Sequence, residues 1–266
     1  MELKKALTIA GSDCSGGAGI QADLKTFHSI GVYGMSVITA LTAQNTLGVH
    51  GIHDTSADFV HDQMKAVLED IPPDAIKTGM LFSKKIIQTV TKTLAESRVR
   101  NIIVDPVMIS TTGHKLITES AVQSMMHDLI PHALMVTPNI DEAKTLSGIM
   151  IDTNEDMKIA AERIHDSGAK MVVVKGGHLD DGEAVDIFFD GETMHSLTSE
   201  RVPTKHTHGT GCTFSAAITA YLALGEKPLN AVKKAKDYVT GALQHVVPVG
   251  KGISPINHLW SLRSRE

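Results

Sequence analysis

Short β-rich runs alternate with amphipathic helical segments along the chain, and the runs are apolar on both faces. The candidate strands are residues 6–10, 36–41, 75–78, 102–105, 134–137 and 171–175. Between them apolar residues recur at helical spacing, as in Val60, Met64, Val67 and Leu68, or Ile87, Val90 and Leu94. A run such as Ile102-Ile103-Val104 has no polar face, which suits a parallel strand covered by helices on each side. One stretch departs from this: residues 185–189 and 193–197 flank Asp190-Gly191, a hairpin signal that predicts an antiparallel edge. Gly225 stops one helix and Pro228 lies where the next can begin. The sequence shows no linker, repeat or low-complexity tract. Residues 1–266 therefore read as a single doubly wound α/β domain, with a mostly parallel sheet, helices on both faces and an antiparallel edge hairpin.

Charge and composition narrow the function. A net charge of −5 with no basic block argues against a nucleic-acid surface. Residues 26–53 lack any Asp, Glu, Lys or Arg, but glycines, Gln44, Asn45 and threonines interrupt them, so they read as strand and loop rather than a membrane span. The start, Met1-Glu2-Leu3-Lys4-Lys5, does not read as a secretory signal. Two cysteines fit a reducing cytosol.

In open α/β sheets the ligand crevice lies at the carboxyl ends of the strands. Those ends here carry Gly11-Ser12-Asp13, Gln44-Asn45, Gly79-Met80, Asp105-Pro106, Thr137-Pro138-Asn139 and Lys175-Gly176-Gly177. The run His206-Thr207-His208-Gly209-Thr210-Gly211-Cys212-Thr213 then opens into a helical pattern through Phe214, Ile218, Tyr221 and Leu222. Two glycines one residue apart can turn successive N–H groups to one point, and the helix dipole makes that point an anion site. A glycine-rich helix cap is the plain alternative. A thiol at such an N-terminus, Cys212, gains up to about 2 kcal/mol as an anion, which brings it from about 8.5 towards 7.

Other candidates each carry a competing structural reading. Gly17-x-Gly19-x-x-Ala22 formally fits a dinucleotide fingerprint. However, its turn after Ala10 is too long, and the next strand ends in Gln44-Asn45 with no carboxylate for a ribose. No P-loop motif is present. Asp23 sits at the edge of the helix stripe formed by Ile20, Leu24 and Phe27, either complementing the dipole or projecting into the crevice. Asp105 and Glu142 are candidate magnesium ligands, since magnesium in phosphoryl transfer takes one or two protein carboxylates; Glu142 is otherwise a first-turn acid. Lys175 can reach a phosphate or snorkel. Gln44 offers an acceptor and two donors, which suits a heteroaromatic ring bearing an amino group; a buried, backbone-satisfied amide is the alternative. The pairs His50/His53 and His206/His208 lack a third ligand for zinc, and Cys14 reads as packing or as incidental.

Taken together, these motifs resemble one family. They are Gly11-Ser12-Asp13, Gly16-Gly17-Ala18-Gly19-Ile20-Gln21-Ala22-Asp23, Leu41-Thr42-Ala43-Gln44-Asn45-Thr46, Lys77-Thr78-Gly79-Met80, Asp105-Pro106-Val107-Met108, Thr137-Pro138-Asn139 with Glu142-Ala143, Val174-Lys175-Gly176-Gly177-His178 and the run from His206 to Thr213. In this order, from about residue 6 to about residue 258, they resemble the hydroxymethylpyrimidine/phosphomethylpyrimidine kinases of thiamine biosynthesis, of the ribokinase-like superfamily. The resemblance implies two successive phosphorylations that use ATP and magnesium. It implies an anion hole of Gly209, Thr210, Gly211 and Cys212, with Cys212 in place of the usual aspartate base. Lys175 and Asn139 would lie on the ATP phosphates, Asp105 and Glu142 on magnesium. Gly11, Asp23, Gln44, Met80 and Val107 would surround the pyrimidine.

The resemblance also implies a homodimer in the cytoplasm, with no nucleic-acid or membrane partner. Pyridoxal kinases of the same fold are the nearest alternative; they carry an apolar residue in place of Gln44 and a cysteine in place of Ser110. A non-catalytic pyrimidine-binding protein is a weaker alternative, and a dinucleotide oxidoreductase the weakest.

Overall fold

Nine strands form one sheet in the order β3-β2-β1-β4-β5-β6-β7-β8-β9 in the computed structural model, which describes residues 3–109, 116–177 and 183–263. The strands are β1 (Lys5–Asp13), β2 (Tyr33–Asn45), β3 (Gly48–Asp54), β4 (Ala75–Thr78), β5 (Ile102–Val104), β6 (Met135–Val136), β7 (Val172–Lys175), β8 (Glu183–Phe189) and β9 (Met194–Glu200). From β2 across to β7 every neighbouring pair is parallel. At either side the sheet turns antiparallel, through β3 on β2 and through β8 and β9 beyond β7.

The helices that bear on the site are α1 (Gly19–Ile30), α2 (Ala57–Asp70), α3 (Lys84–Glu96), α4 (Glu119–Ser124), α5 (Ile140–Ser147), α6 (Asn154–Asp166), α7 (Thr210–Ala223) and α8 (Pro228–Gln244). Alternate strand residues bury against opposite layers, as the two-faced apolar runs require. Val104 joins a core with Val60 and Met64 of α2 and Ile86 and Val90 of α3. Its neighbour Ile103 packs instead with Phe214 and Ile218 of α7 and Val232 of α8. Gly225 adopts φ +91 just after α7, and Pro228 is the first residue of α8.

Two departures from the expected elements matter for the site. β1 runs on through Gly11 and Ser12 to Asp13, with a register shift between Ala10 and Ser12, so these residues are strand rather than loop. The strand expected over residues 36–41 spans Tyr33–Asn45 and folds back as β3, a second antiparallel edge. The β3 sequence holds two glycines and two histidines and has little β-propensity of its own, so only its neighbour makes it a strand. Among the described residues no helix is long and apolar enough to cross a membrane.

Candidate functional site

Two glycine loops lie against each other at the carboxyl ends of the central strands. Gly209 caps α7 in the left-handed conformation, with φ +80, and a Cβ there would come within 1.9 Å of Gly17 O in the first loop. Only a glycine permits both the dihedral and the approach. In the first turn of α7 the Thr210 N–H is spent on Thr207 O at 3.2 Å, so an anion there would be met by the N–H groups of Gly211 and Cys212, which have no carbonyl partner within the helix.

Beneath this loop the charged residues converge. Lys175 Nζ lies 3.2 Å from Asp105 Oδ1, and Ser215 Oγ of α7 donates to Asp105 Oδ2 at 3.1 Å. Asp105 is almost wholly buried, which its place at the end of a two-faced strand foreshadows. Glu142 accepts from Asn139 N at 2.8 Å while Asn139 Oδ1 accepts from Glu142 N at 2.9 Å, a capping box at the start of α5. Burial pushes the Glu142 carboxyl up to about 7; Lys175 opposes the shift and Asp105 adds to it. The Lys175 ammonium is held above the usual lysine range because Asp105 and Glu142 outweigh its burial. Asn139 thus spends its side-chain oxygen on the cap, and its backbone bridges Lys175.

Gly11 N donates to Met80 O at 3.1 Å, and Thr39 Oγ1 donates to the same oxygen at 2.6 Å. Met80 packs with Ala40 and Leu116, with Val107 alongside, so three of the five residues expected around a ring share one apolar corner. Gln44 lies half-buried at the end of β2, its amide 3.3 Å from His208 Nε2.

Two expectations need correction. Asp23 does not project into the crevice: it has no exposed surface, and both its oxygens pair with Lys77 Nζ, at 2.9 and 2.8 Å. Cys212 is not drawn towards thiolate. Burial pushes its thiol up to about 11; Lys77 and the Gly19 N–H work against this, and Asp23 and Asp105 add to it. Desolvation by the adjoining loop outweighs the helix dipole here. Ser110 and His178 lie outside the described residues.

The sequence reading named Lys77 and Asp13 within motifs but gave neither a role, passed over Ser215, and weighed His208 only as a metal ligand. Lys77 carried one signal, a lysine inside a run that is otherwise strand core. Among the described residues no three His, Cys, Asp or Glu side chains cluster as a metal site.

The profile of the phosphomethylpyrimidine kinase family matches residues 13–257. The hydroxymethylpyrimidine/phosphomethylpyrimidine kinase of Bacillus subtilis is 47% identical over 259 residues, covering 97% of this chain and 96% of that protein. The thiamine biosynthesis bifunctional protein ThiED of Geobacter sulfurreducens is 52% identical over 253 residues, which are 95% of this chain. This chain spans about half of that longer protein, 52% of its length. Among solved structures, an ADP complex of Bacillus subtilis pyridoxal kinase superposes with a TM-score of 0.92 at 42% identity, covering 99% of this chain and 100% of that one. The nine-stranded sheet with its antiparallel edges is thus the ribokinase-like fold. On the extent of the profile match and the full-length similarity, this chain belongs to the phosphomethylpyrimidine kinase family.

Proposed function

We propose that the chain phosphorylates 4-amino-5-hydroxymethyl-2-methylpyrimidine and then its monophosphate, drawing on ATP with magnesium. One observation supports this reading: Lys175, paired with Asp105 and beside Glu142, lies next to Gly211 of the α7 loop, and His208 just ahead of that loop touches the Gln44 amide. The Bacillus subtilis relative is named for both phosphorylations, and the pyridoxal kinase neighbour holds ADP.

The donor set fits a divalent cation. Two buried carboxylates face one ammonium, and the raised Glu142 marks positive charge still wanted there. When bound, magnesium supplies charge neutralisation to the triphosphate. Asp105 and Glu142 would hold it, while Lys175 and the N–H groups of Gly211 and Cys212, in the turn that Gly209 and Thr210 shape, would take the transferred phosphoryl group. Asn139 holds Glu142 in place. Gly11, Met80 and Val107 would pack the ring face and Gln44 would read its polar edge. Asp23 would act from beneath, through Lys77. Catalysis is then mainly positioning and charge stabilisation, with Cys212 beside the attacking oxygen.

A panel of vitamin alcohols with ATP and magnesium, with mono- and diphosphate products resolved, tests this directly. Conversion of the pyrimidine to its diphosphate through the monophosphate, only with a divalent cation, is the expected result. Brisk pyridoxal phosphorylation with no turnover of either pyrimidine would transfer the assignment to the pyridoxal kinase reading, which the neighbour's fold favours and the polar Gln44 opposes. A cytoplasmic location and a homodimer rest on the family resemblance alone; analytical ultracentrifugation tests the second.

A further inference from the structure

The Gln44 amide is held at both ends by contacts whose chemistry decides which way round it sits. Thr42 Oγ1 lies 3.3 Å from the amide and donates its one proton to Ser12 O at 2.9 Å. Towards Gln44 that hydroxyl oxygen is therefore an acceptor, and the amide NH2 is its partner. At the other end, His208 Nε2 lies 3.3 Å from the amide and 2.9 Å from Asp13 Oδ2. The same Asp13 oxygen takes N–H bonds from Gly17 at 3.1 Å and Ala18 at 2.8 Å. Burial works to raise the Asp13 carboxyl, but hydrogen bonds from His208 and Ser15 hold it well below the usual carboxylate range. An ionised carboxylate accepts only, so His208 Nε2 carries the proton it receives.

With Oε1 at Thr42 and Nε2 at His208, each contact sets like against like. A half-turn of the amide exchanges oxygen and nitrogen in nearly the same positions and turns both contacts into hydrogen bonds. Oε1 then shares the His208 Nε2–H with Asp13, and Nε2 donates to Thr42. Cys14 fixes the backbone of the same residue: its Sγ donates to Gln44 O at 3.1 Å and accepts from Gln44 N at 3.3 Å.

This orientation has a consequence for selectivity. A primary amide free to make that half-turn presents donor and acceptor in either order, so it matches an aminopyrimidine and an oxopyrimidine equally. Selection between them needs a pin. We propose that His208, locked by Asp13, is the positioning residue that pins the Gln44 amide and makes the site select a 4-aminopyrimidine over its 4-oxo counterpart; this rests on the reading that Gln44 faces the ring edge. The register agrees. On the ring, the amino group neighbours the hydroxymethyl carbon that must face the anion loop. His208 directly precedes Gly209 of that loop, so the pinned Oε1 lies on the side where the amino group donates.

The test compares kcat/KM for 4-amino-5-hydroxymethyl-2-methylpyrimidine with that for its 4-oxo analogue, at saturating ATP. In His208→Leu the amino/oxo ratio is expected to fall about tenfold, the worth of one hydrogen bond, with KM for ATP within about twofold of wild type. His208→Gln keeps an N–H at similar reach and should restore most of the ratio. Should His208→Leu not fold, Thr42→Val releases the other end of the amide and should lower the ratio likewise. An unchanged ratio in His208→Leu or Thr42→Val, beside a large loss of pyrimidine turnover in Gln44→Leu, overturns the pin alone. Unchanged pyrimidine turnover in Gln44→Leu overturns the reading of Gln44 on which the pin rests.

Discussion

Lys77 Nζ lies 2.9 and 2.8 Å from the two carboxylate oxygens of Asp23, and neither side chain has any surface in contact with solvent. Thr8 Oγ1 completes the set, donating to Asp23 at 2.6 Å. The pair joins α1 to β4 under the anion loop. Burial works to neutralise Lys77, but the negative charges of Asp23 and Asp105 hold its ammonium above the usual lysine range. It is a buried ion pair set beneath the loop proposed to bind phosphate.

Removing one partner strands the other. Lys77→Met is expected to cost about 3–5 kcal/mol of stability, because an uncompensated carboxylate remains in the core. The double variant Lys77→Met/Asp23→Leu removes both charges and should recover most of that loss. Urea unfolding of the two variants side by side checks this. A single variant no less stable than the double would mean that the pair does not hold α1 to the sheet.

Glu142 gives the cation-free protein a characteristic pH response. Its carboxyl is pushed from an ordinary 4.5 to about 7, by burial first, with Lys175 opposing and Asp105 adding. Between those values the folded state keeps a proton that the unfolded chain has lost. Stability therefore falls as pH rises through that window, by about 3 kcal/mol at most, and levels off above it. Glu142→Gln should flatten this limb, and added magnesium should restore stability at the alkaline end, since the cation replaces the proton. Thermal melts from pH 5 to 8 with EDTA decide the matter; parallel curves for variant and wild type would remove Glu142 as the cause.

How far the site was legible depended on whether its signals were local. Gly209 could be read because a left-handed cap followed by apolar helical spacing is written in adjacent residues. The ends of β5 and β7 could be read because runs such as Ile102-Ile103-Val104 are buried on both faces, so Asp105 and Lys175 had to emerge at the rim. Asp23 could not. Its helix position is compatible with dipole, crevice or ion pair, and the choice was made by Lys77, which lies 54 positions away in sequence. Cys212 failed for the same reason with the opposite sign. The dipole at its helix start is local, whereas the loop that desolvates it comes from the other end of the chain. His208, set aside as a zinc ligand for want of a third partner, had no role until β1 brought Asp13 to it across 195 positions.

His258 sets the opposite pH limb. It lies buried, with Nε2 2.9 Å from Thr213 Oγ1, and its carbonyl accepts from Ser29 Oγ and Tyr238 OH. Burial, reinforced by Lys25 and His208, lowers it from 6.5 to about 4. Below pH 6.5 the unfolded chain gains a proton that the folded chain refuses. The stabilisation is therefore complete above that value and lost as pH falls towards 4, again about 3 kcal/mol at most. His258→Gln should blunt acid unfolding while leaving the Glu142 limb intact. Acid melts of equal steepness in the variant would exclude His258.

The two phosphorylations ask different things of Cys212. In the first, the attacking group is a neutral alcohol that must lose a proton. In the second it is a phosphate oxygen, already largely ionised above a pKa of about 6. A thiol pushed up to about 11 holds its proton at neutral pH, so if it serves as the base, the first step should quicken with pH up to at least about 9. Cys212→Ala should then slow the first phosphorylation by about 10²-fold, remove its rise with pH, and slow the second much less. Both steps are to be timed on one preparation, with ATP affinity as the control for the loop. Equal slowing of the two steps, with the pH dependence retained, would assign Cys212 to the wall of the anion site and leave the alcohol proton to be lost late in a loose transition state without it.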